Sequence, residues 1–422
     1  MSQGQLGSNW AGNVRYRARR LHEPTSVDDL RRLMPGLRRA RVLGSRHSFN
    51  DIADTDGDLI SLARVPRQLR IESGLGQVTV DGGARYGDVC PDLERAGFAL
   101  PVLASLPHIS VAGAIATATH GSGDRIASLA GAVVGLELVT ASGDLVSIDA
   151  MSEPGLLDGA TVALGALGVV VSVTLAIEPS YRMRQDVFVD LAEAGFHDHF
   201  DAITANCDSA SFFTTWAPGA GFHQVWLKRR VTASGASVPD SLVGTRRAGR
   251  PLHPIPGFPA EACTPQLGEP GPWHERSPHF RFDHTPSSGA ELQSEYYIDR
   301  ADAPAAAAAL FQIGPLIAPL VQVSEIRTVA AERLWLSPAY RRASATIHVT
   351  WVPNAPAVLA VLPIVEAALA PFQPRPHWAK LSTIPPARIR ANYERFPAFE
   401  ALARRFDPSG VFRNDYLDRL FN

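Results

Sequence analysis

The residues of this chain that could do chemistry lie first of all in two loops rich in small residues. One covers residues 41–50 and presents His47 within GSRHS, and the other covers residues 104–123 and ends in TATHGSG. Glycine and hydroxylated residues let backbone N–H groups approach an anionic ligand, so two such loops predict an extended dinucleotide rather than a single phosphate. A lone turn histidine is usually a hydrogen-bonded residue. Its neighbours here favour a nucleophilic imidazole suited to attachment to an electrophilic cofactor carbon.

A second group of reactive side chains lies in residues 324–328, between the mostly apolar flanks 321–323 and 329–330. Glu325 and Arg327 are two residues apart and therefore project from the same face of a strand. At a surface they would form an ion pair of little energetic value. Apolar flanks favour an enclosed face, where a carboxylate accepts and a guanidinium donates hydrogen bonds to vicinal hydroxyls. The pair therefore indicates a site for a polyol.

Further polar residues extend this candidate site. Gln293 lies in AELQSEY, His348 and Thr350 share a strand face in TIHVTW, and Lys380 ends RPHWAK. Each is ambiguous alone, because a histidine in an apolar strand is more often a core residue. Together they supply an acid–base group, an ion pair and neutral donors, which is the composition of a sugar-like site.

The elements that must position these residues fall into two groups divided near Pro179. In the first group, strands are expected at residues 41–43, 77–81, 133–140, 145–149 and 169–177, and helices near residue 25 and at 86–97. In the second, strands are expected at residues 181–191, 211–216, 225–230 and 345–351, and helices at 302–310, 357–369 and 396–406. Residues 234–289 are rich in Pro and Gly, which indicates a functional loop or a linker. The pattern predicts an α+β cofactor domain followed by a sheet-and-helix cap domain.

Composition narrows the function classes. A chain of 422 residues with net charge −2 and no long basic run does not favour binding to nucleic acid or to an anionic membrane. Three separated cysteines suggest neither a disulfide framework nor a zinc site, and we expect no metal. The apolar stretch 156–177 is interrupted by Asp158 and glycines, so we read it as a short helix followed by a buried strand. We expect a soluble cytoplasmic monomer.

The two loops together resemble the flavin domain of the vanillyl-alcohol-oxidase family. There a histidine in the G-S-x-H-S turn carries FAD through a covalent bond, so the resemblance implies covalent FAD at His47. Arg46 departs from the pattern, since glycine is expected at that place in most relatives. Residues 105–123 resemble the pyrophosphate cradle, and residues 165–169 resemble a segment that touches the adenine half. The implied FAD site comprises Arg41, Val42, Leu43, Gly44, Ser45, Arg46, His47, Ser48, Ser105, Ser110, Gly113, Thr117, Ala118, Thr119, His120, Gly121, Val169 and Lys380.

Other segments resemble the sugar-oxidising branch of that family, which holds alditol oxidases and aldonolactone oxidases. They are EIRTVAA, WLSP and PHWAK, and the segments CTPQLG, GPWHER and TPSSGAELQ resemble the alditol (xylitol) oxidases in particular. The similarity extends from NWAGN to DPSG, over essentially the whole chain. It implies a two-domain α+β flavoprotein. Residues 1–180 would form the FAD-binding domain, to which the segment from about residue 380 to 422 returns, and residues 181–379 the α+β substrate-binding cap.

The implied reaction is oxidation of the terminal C1 alcohol of an alditol such as xylitol or sorbitol to the aldose, with O2 reduced to H2O2. His348 or Lys380 would polarise the C1 hydroxyl or accept its proton. Glu325 and Arg327 would hold the first hydroxyls, and Gln293, Thr350 and Ser105 those further along.

Three alternatives remain at this point. The chain could be an aldonolactone oxidase, or a dehydrogenase of the same family; Ala104 is then a candidate for controlling which electron acceptor is used. A different class is an inactive sugar-binding protein on the same scaffold, since fold similarity does not establish activity.

Overall fold

The computed structural model describes residues 6–231, 242–284 and 291–421. It begins with a parallel sheet of β1 (Arg20–His22), β2 (Ala40–Val42) and β3 (Asp58–Ile60), in the order β1-β3-β2. Helix α1 (Val27–Leu33) starts as predicted after Ser26, whose hydroxyl accepts from the Asp29 N–H. Because β2 ends at Val42, this sheet fixes where the His47 loop begins.

A five-stranded antiparallel sheet follows. Its strands are β4 (Leu69–Glu72), β5 (Gln77–Asp81), β7 (Val133–Val139), β8 (Leu145–Asp149) and β9 (Val169–Ala176), in the order β4-β5-β9-β7-β8. The strands β6 (Phe98–Ala99) and β10 (Glu178–Pro179) pair beside it, and the helices are α2 (Tyr86–Arg95), α3 (Val111–Ala116) and α4 (Leu156–Thr161). The predicted hairpin, the strands at 77–81 and 169–177 and the helix at 86–97 are confirmed.

The second half of the described chain is built on a larger sheet. Its strands run in the order β14-β11-β13-β12-β17-β18-β16-β19, with β15 paired to β11. They are β11 (Arg182–Leu191), β12 (Ser209–Thr214), β13 (Phe222–Arg230), β14 (Arg246–Arg247), β15 (Gly271–Pro272), β16 (Leu292–Asp299), β17 (Val321–Val329), β18 (Ser344–Trp351) and β19 (Arg375–Pro376). Every strand predicted after Pro179 is therefore confirmed, with shifts of up to three residues at the ends.

The two faces of this sheet differ in chemistry because side chains alternate along each strand. One face packs Phe212, Leu227, Ile326 and Trp351 against helices and is mostly apolar. The covering helices include α5 (Glu193–Ala205), α6 (Ala303–Gln312), α7 (Gly314–Ile317) and α8 (Ala355–Leu369). The opposite face carries the polar residues of the candidate site.

Helix α5 was not predicted, although its core positions have helical spacing. Phe196, Phe200 and Ile203 are buried, while Gly195 and polar residues of modest helix propensity obscure the pattern. His197 and His199 lie on its exposed face, as expected for residues outside a metal site. Among the residues that the structure describes, no cluster of His, Cys, Asp or Glu could hold a metal ion.

The segment Ala355–Phe372, which contains α8, is long and apolar enough to cross a membrane by composition alone. Val358, Leu362, Val365 and Leu369 of this helix belong to the core beneath the large sheet. Its buried Glu366 accepts a hydrogen bond of 2.8 Å from the Tyr296 hydroxyl on β16. We therefore interpret α8 as a core helix.

The C-terminal segment packs on the first sheets. It contains α9 (Pro386–Ala391), α10 (Phe396–Phe406) and α11 (Asp415–Phe421), and Phe396, Phe399 and Leu402 join the core of the five-stranded sheet. Asn414 donates to the carbonyl oxygens of Asp51, Ile52 and Asp54. These contacts brace the chain just after the His47 loop.

The predicted irregular stretch 234–289 packs against the second small-residue loop in its described part. Residues 232–241 and 285–290, which overlap the two ends of this stretch and include most of the TPSSGAELQ motif, lie outside the described residues. The backbone N–H groups of His279 and Phe280 both donate to the Ser105 carbonyl, at 3.0 and 3.1 Å. The stretch thus closes over the second small-residue loop.

Candidate active site

The two small-residue loops are tied to each other. The Ser110 N–H donates to the Ser45 hydroxyl at 3.0 Å. A Cβ atom at Gly44 or at Gly113 would lie 2.6 or 2.7 Å from the Ser110 hydroxyl, so a side chain at either position would displace this hydroxyl. Between the loops and the five-stranded sheet lies a cavity of about 550 Å³, which we call the cofactor cavity. Of the predicted FAD residues, it is lined by residues 41–48, Ser110, Gly113, Thr117 and Thr119.

His47 lies where this cavity meets a second one of about 190 Å³, the substrate cavity. Its ring stacks on Trp10, with centroids 5.2 Å apart and an interplanar angle of 20°. Burial and the nearby His108 lower its pKa to about 4, although the Ser45 backbone opposes this. Among the described residues, neither ring nitrogen has a partner with hydrogen-bond geometry. A neutral imidazole with an orphaned nitrogen fits a covalently held cofactor.

The backbone at Arg46 shows why glycine is expected at this position. Its φ is 64°, in the left-handed region that favours glycine. The Arg46 guanidinium donates to the Leu6 carbonyl at 2.8 Å and lies 5.5 Å from the centre of the Tyr16 ring. The turn therefore keeps the conformation expected of a glycine turn, and the side chain anchors the N-terminal segment.

Four residues of the predicted FAD site make their main contacts elsewhere in the structure. Val169 points into the core with Leu30 and Met34, because its neighbours Gly168 and Val170 take the cavity side of the strand. Ala118 packs into the main core, and Gly121 lines a small neighbouring cavity instead. Arg41 borders the cofactor cavity, but its guanidinium donates to four carbonyl oxygens, of Ile52, Leu164, Gly165 and Phe412. Arg41 therefore fixes loops around the cavity.

The polar face of the large sheet forms one wall of the substrate cavity. Three strands place Glu295, His348 and Glu325 directly opposite one another in a single cross-strand row. Gln293 and Thr350 form the next row, and Arg327 lies opposite Thr346 in the row on the other side. The antiparallel register of β16, β18 and β17 thus brings together residues that are up to 57 positions apart.

Glu295 is the centre of the charged group. Its carboxylate accepts from Lys380 Nζ at 2.6 Å and from Arg327 Nη2 at 2.7 Å, and His120 Nε2 lies 3.1 Å away. Burial opposes ionisation, but Lys380, His120 and Arg327 hold the pKa of Glu295 well below its usual value. The carboxylate is therefore ionised and keeps both cations in place.

Lys380 is positioned by the backbone on two sides. The segment PHWAK runs beside β16, where His377 N–H donates to Glu295 O and Leu381 N–H donates to Gln293 O. Asn50, three residues after His47, donates to the carbonyls of Trp378 and Lys380. Lys380 is thus held in a fixed relation to both the His47 loop and the polar sheet face.

The two candidate proton-transfer groups are in different states. Burial and Lys380 lower the pKa of His348 to about 3, so its ring is neutral. Burial also lowers the pKa of Lys380, and the attraction of Glu295 opposes this. The ion pair with Glu295 supports an ammonium at Lys380, which can donate hydrogen bonds, whereas neutral His348 has a nitrogen that can accept one.

Glu325 and Arg327 lie in the same wall and are both buried. Arg327 Nε is 3.5 Å from Glu325 Oε2, and Arg327 Nη1 donates to the Ser105 hydroxyl at 3.3 Å. Burial opposes ionisation of Glu325, but Arg327 and His279 lower its pKa. The predicted enclosed face is therefore confirmed, and the pair is not a surface ion pair.

Gln293, Thr350 and Ser105 also line the substrate cavity. The Gln293 amide nitrogen donates to Glu291 at 2.7 Å, which leaves its amide oxygen as an acceptor. The apolar residues Phe213, Ile255, Phe280 and Val323 complete that part of the wall.

Sequence reasoning missed Glu295, His279, Lys228 and His377. Glu295 follows Gln293 by two residues in a strand, so period-two alternation alone would have placed it on the same face. The others lie in segments whose contacts with the site depend on long-range packing. Local sequence carries no signal for them.

Comparisons with known proteins agree with this geometry. A family model described as "FAD binding domain" matches residues 18–149, and one described as "D-arabinono-1,4-lactone oxidase" matches residues 292–420. The alditol oxidase of Streptomyces sp. (strain IKD472 / FERM P-14339) is 45% identical over 98% of this chain and 99% of its own length. The L-gulono-1,4-lactone dehydrogenase of Mycobacterium tuberculosis is 29% identical over 98% of this chain and 99% of its own length.

The L-gulonolactone oxidase of Bos taurus is 25% identical over 99% of both chains. Among solved structures, a cholesterol oxidase from B. sterolicum superposes with a TM-score of 0.75 at 15% identity, covering 99% of this chain and 96% of that one. This likeness shows the fold, a two-domain α+β architecture, and the FAD-binding family model indicates a flavoprotein.

Proposed function

This chain belongs to the alditol oxidase family of FAD-binding oxidoreductases, and from that premise we propose that it oxidises the terminal alcohol of alditols. Xylitol and sorbitol would be converted to the aldose, with O2 reduced to H2O2. The observation that carries the proposal is the buried row Glu295–His348–Glu325, flanked by Arg327 and Lys380, in a cavity that meets the cofactor cavity at His47.

FAD, when bound, supplies the two-electron acceptor and the reaction with O2. The cofactor cavity offers backbone N–H groups of the two loops for its phosphates, and we propose that His47 carries it covalently. Support for the covalent bond comes from the neutral, buried ring and its orphaned nitrogen atoms.

We assign the FAD-binding role to residues 1–180 together with the segment 380–422, and the substrate-binding role to residues 181–379. The match of the FAD-binding family model to residues 18–149 supports the first assignment. The contacts of Asn414 and Phe412 with residues near the His47 loop support the inclusion of segment 380–422 in the FAD-binding domain.

Glu325 and Arg327 would bind adjacent hydroxyls of the polyol. An ionised carboxylate accepts from hydroxyl groups, and the guanidinium donates to their oxygen atoms. Gln293, Thr350 and Ser105 would bind the hydroxyls further along the chain. Such contacts fix the terminal carbon near the His47 side of the cavity, so they affect turnover as well as affinity.

Lys380 and Arg327 would donate hydrogen bonds to the C1 oxygen, because Glu295 keeps both cations charged and in position. Neutral His348 would then accept the hydroxyl proton. A base with so low a pKa accepts that proton once C1 has begun to become a carbonyl carbon, since the hydroxyl becomes strongly acidic at that stage. The ion pair at Lys380 is the reason to prefer His348 as the acceptor.

Aldonolactone oxidation is the second candidate function, because the C-terminal family model carries that description. The higher identity to an alditol oxidase over the full length favours the first. Peroxide production from xylitol and sorbitol should exceed that from gulono- or galactonolactones. Faster peroxide production from a lactone would reverse the assignment, and substrate oxidation only with an artificial acceptor would indicate a dehydrogenase.

Covalent attachment is tested by acid precipitation of the purified protein. The flavin absorbance should remain with the precipitated polypeptide and should be lost to the supernatant in His47→Ala. Release of flavin from the unsubstituted protein would remove the covalent bond from the proposal and leave the activity open.

We also propose a cytoplasmic monomer; the monomer is supported by the two cavities, whose lining residues all come from this single chain. Light scattering after size-exclusion chromatography should give a mass near 45.4 kDa. A mass twice that value would contradict the monomer.

A further inference from the structure

A buried lysine lies behind the substrate-binding wall and does not itself line the substrate cavity. Lys228 is on β13 and is 1% exposed. Its ammonium donates to the carbonyl oxygens of Ser277 and Pro278 and to His279 Nδ1, at 2.5, 2.8 and 3.0 Å. These three contacts match the three donors of an ammonium group.

The donors fix the tautomer of His279. An ammonium has no acceptor, so His279 Nδ1 must accept and the ring proton must lie on Nε2. His279 Nε2 is 2.8 Å from Glu325 Oε1, and a carboxylate accepts this proton. Hydrogen bonds therefore run in one direction, from Lys228 through His279 to Glu325.

The imidazole has little freedom to leave this arrangement. The rings of Phe213 and Trp226 contact it edge-on, with centroids 5.7 and 5.1 Å away. The His279 backbone N–H donates to Ser105 O, which belongs to the second small-residue loop. The ring is thus fixed by aromatic packing and by its backbone.

We propose that Lys228 and His279 are positioning residues that hold the Glu325 carboxylate ionised and correctly oriented for the substrate hydroxyls. This inference rests on the proposed alditol oxidation. One oxygen of Glu325 is fixed by His279, and the other, facing Arg327, remains available to a hydroxyl. The pair acts through Glu325 and touches no reacting atom.

The charges around Lys228 and His279 are consistent with this positioning role. The charged and titratable groups facing it are Glu325 and Arg327 on β17, and Cys263 in the loop before β15. Burial lowers the pKa of Lys228 to about 7, with Glu325 opposing. Burial and Lys228 lower the pKa of His279 to about 4, so the ring stays neutral and works as a donor–acceptor bridge.

The first test is a pair of His279 variants. His279→Leu removes both hydrogen bonds, and KM for xylitol should rise about tenfold or more, with a smaller change in kcat. His279→Gln can still accept through its oxygen and donate through its nitrogen, so it should recover much of the loss. Equal KM for His279→Leu and the unsubstituted enzyme would overturn the proposal.

The second test removes the cation. In Lys228→Met the pKa of Glu325 should rise because a nearby positive charge is lost, so the acid limb of the kcat/KM profile should move to higher pH. Arg229→Met, a cation removed from the next position of the same strand, should leave the profile in place. An unmoved acid limb in a folded, flavin-loaded Lys228→Met protein would contradict the role of Lys228. A double variant with His279→Leu should show no further effect if the two act in series.

A third measurement needs no variant and no turnover. Imidazole ¹⁵N shifts of the unsubstituted holoenzyme should show His279 as the neutral Nε2–H tautomer between the pKa values of His279 (about 4) and Lys228 (about 7), where Lys228 is charged and the ring is not. The Nδ1–H tautomer or a cationic ring would overturn the inference even if alditol oxidation is correct. Failure of the unsubstituted enzyme to oxidise alditols, with the expected tautomer observed, would instead reject the proposed function.

Discussion

Glu295 shows how one buried carboxylate determines the state of its neighbours. It is 1% exposed and contacts Lys380, Arg327 and His120. Without it, two buried cations would share the single charge of Glu325. A buried ion pair contributes little net stability, but removal of one partner is costly because the other is left unpaired.

Glu295→Gln should therefore lower kcat/KM for xylitol by about two orders of magnitude, as expected for loss of roughly 3 kcal/mol from a buried pair. Removal of the carboxylate lowers the pKa of Lys380 further, so the alkaline limb of the profile should move to lower pH. Rates of peroxide formation across pH measure both effects.

Glu332→Gln is the matched control. Glu332 is a buried carboxylate bonded to Ser128 and Ser337, outside the substrate cavity, and burial raises its pKa. The Glu332→Gln substitution should change neither kcat/KM for xylitol nor the pH of the alkaline limb. An unmoved alkaline limb in Glu295→Gln would show that Lys380 does not need this partner.

Lys380→Met should slow anaerobic reduction of the flavin by xylitol at saturating substrate. The ammonium is proposed to hold the C1 hydroxyl in position and to make loss of its proton easier as hydride leaves C1. Stopped-flow absorbance gives the rate directly. An unchanged rate would exclude Lys380 from the reaction and leave it a structural partner of Glu295.

At the scale of single residues, the sequence identified which residues belong to the site better than the hydrogen bonds and ion pairs between them. Glu325, Arg327, His348 and Lys380 were placed together correctly. Glu295 was passed over although it lies directly opposite His348 in the sheet register. Our proposal that His348 rather than Lys380 accepts the proton also rests on the structure, because only the contacts show that Lys380 has a carboxylate partner.

At the scale of elements, the site depends on loops that are fixed from behind. Arg41 is buried and donates to carbonyl oxygens from three separate segments. It therefore joins β2 to the segment after the His47 loop, to the turn after α4 and to the C-terminal segment, all around the cofactor cavity. The sequence showed the turn and its glycines, but not this arginine's role, because the carbonyls come from residues up to 371 positions away.

Arg41→Met should lower the free energy of unfolding by roughly 3 kcal/mol, since buried carbonyl groups lose a charged donor. It should also reduce the fraction of protein that retains flavin. Chemical denaturation and the ratio of flavin to protein absorbance measure these effects. Arg38→Met, at an exposed position of the same segment, should change neither. Full stability of Arg41→Met would show that the loops hold without it.

At the scale of the whole molecule, the arrangement places two sheets on opposite sides of the active site. The five-stranded sheet and its loops border the cofactor cavity, and the polar face of the large sheet borders the substrate cavity. His47 and Ala379 line both. The α+β class and the strands were predictable from alternating apolar residues. The strand order was not, because pairing of β12 with β17 crosses more than 100 residues.

The central claim is that a terminal alcohol of an alditol is oxidised next to His47. The most direct test is to mix the purified flavoprotein with xylitol in the absence of O2 and to identify the product. The account predicts loss of the oxidised-flavin absorbance and formation of the aldose in equal amount. Reduction by an aldonolactone but not by xylitol, or formation of a ketose, would contradict it.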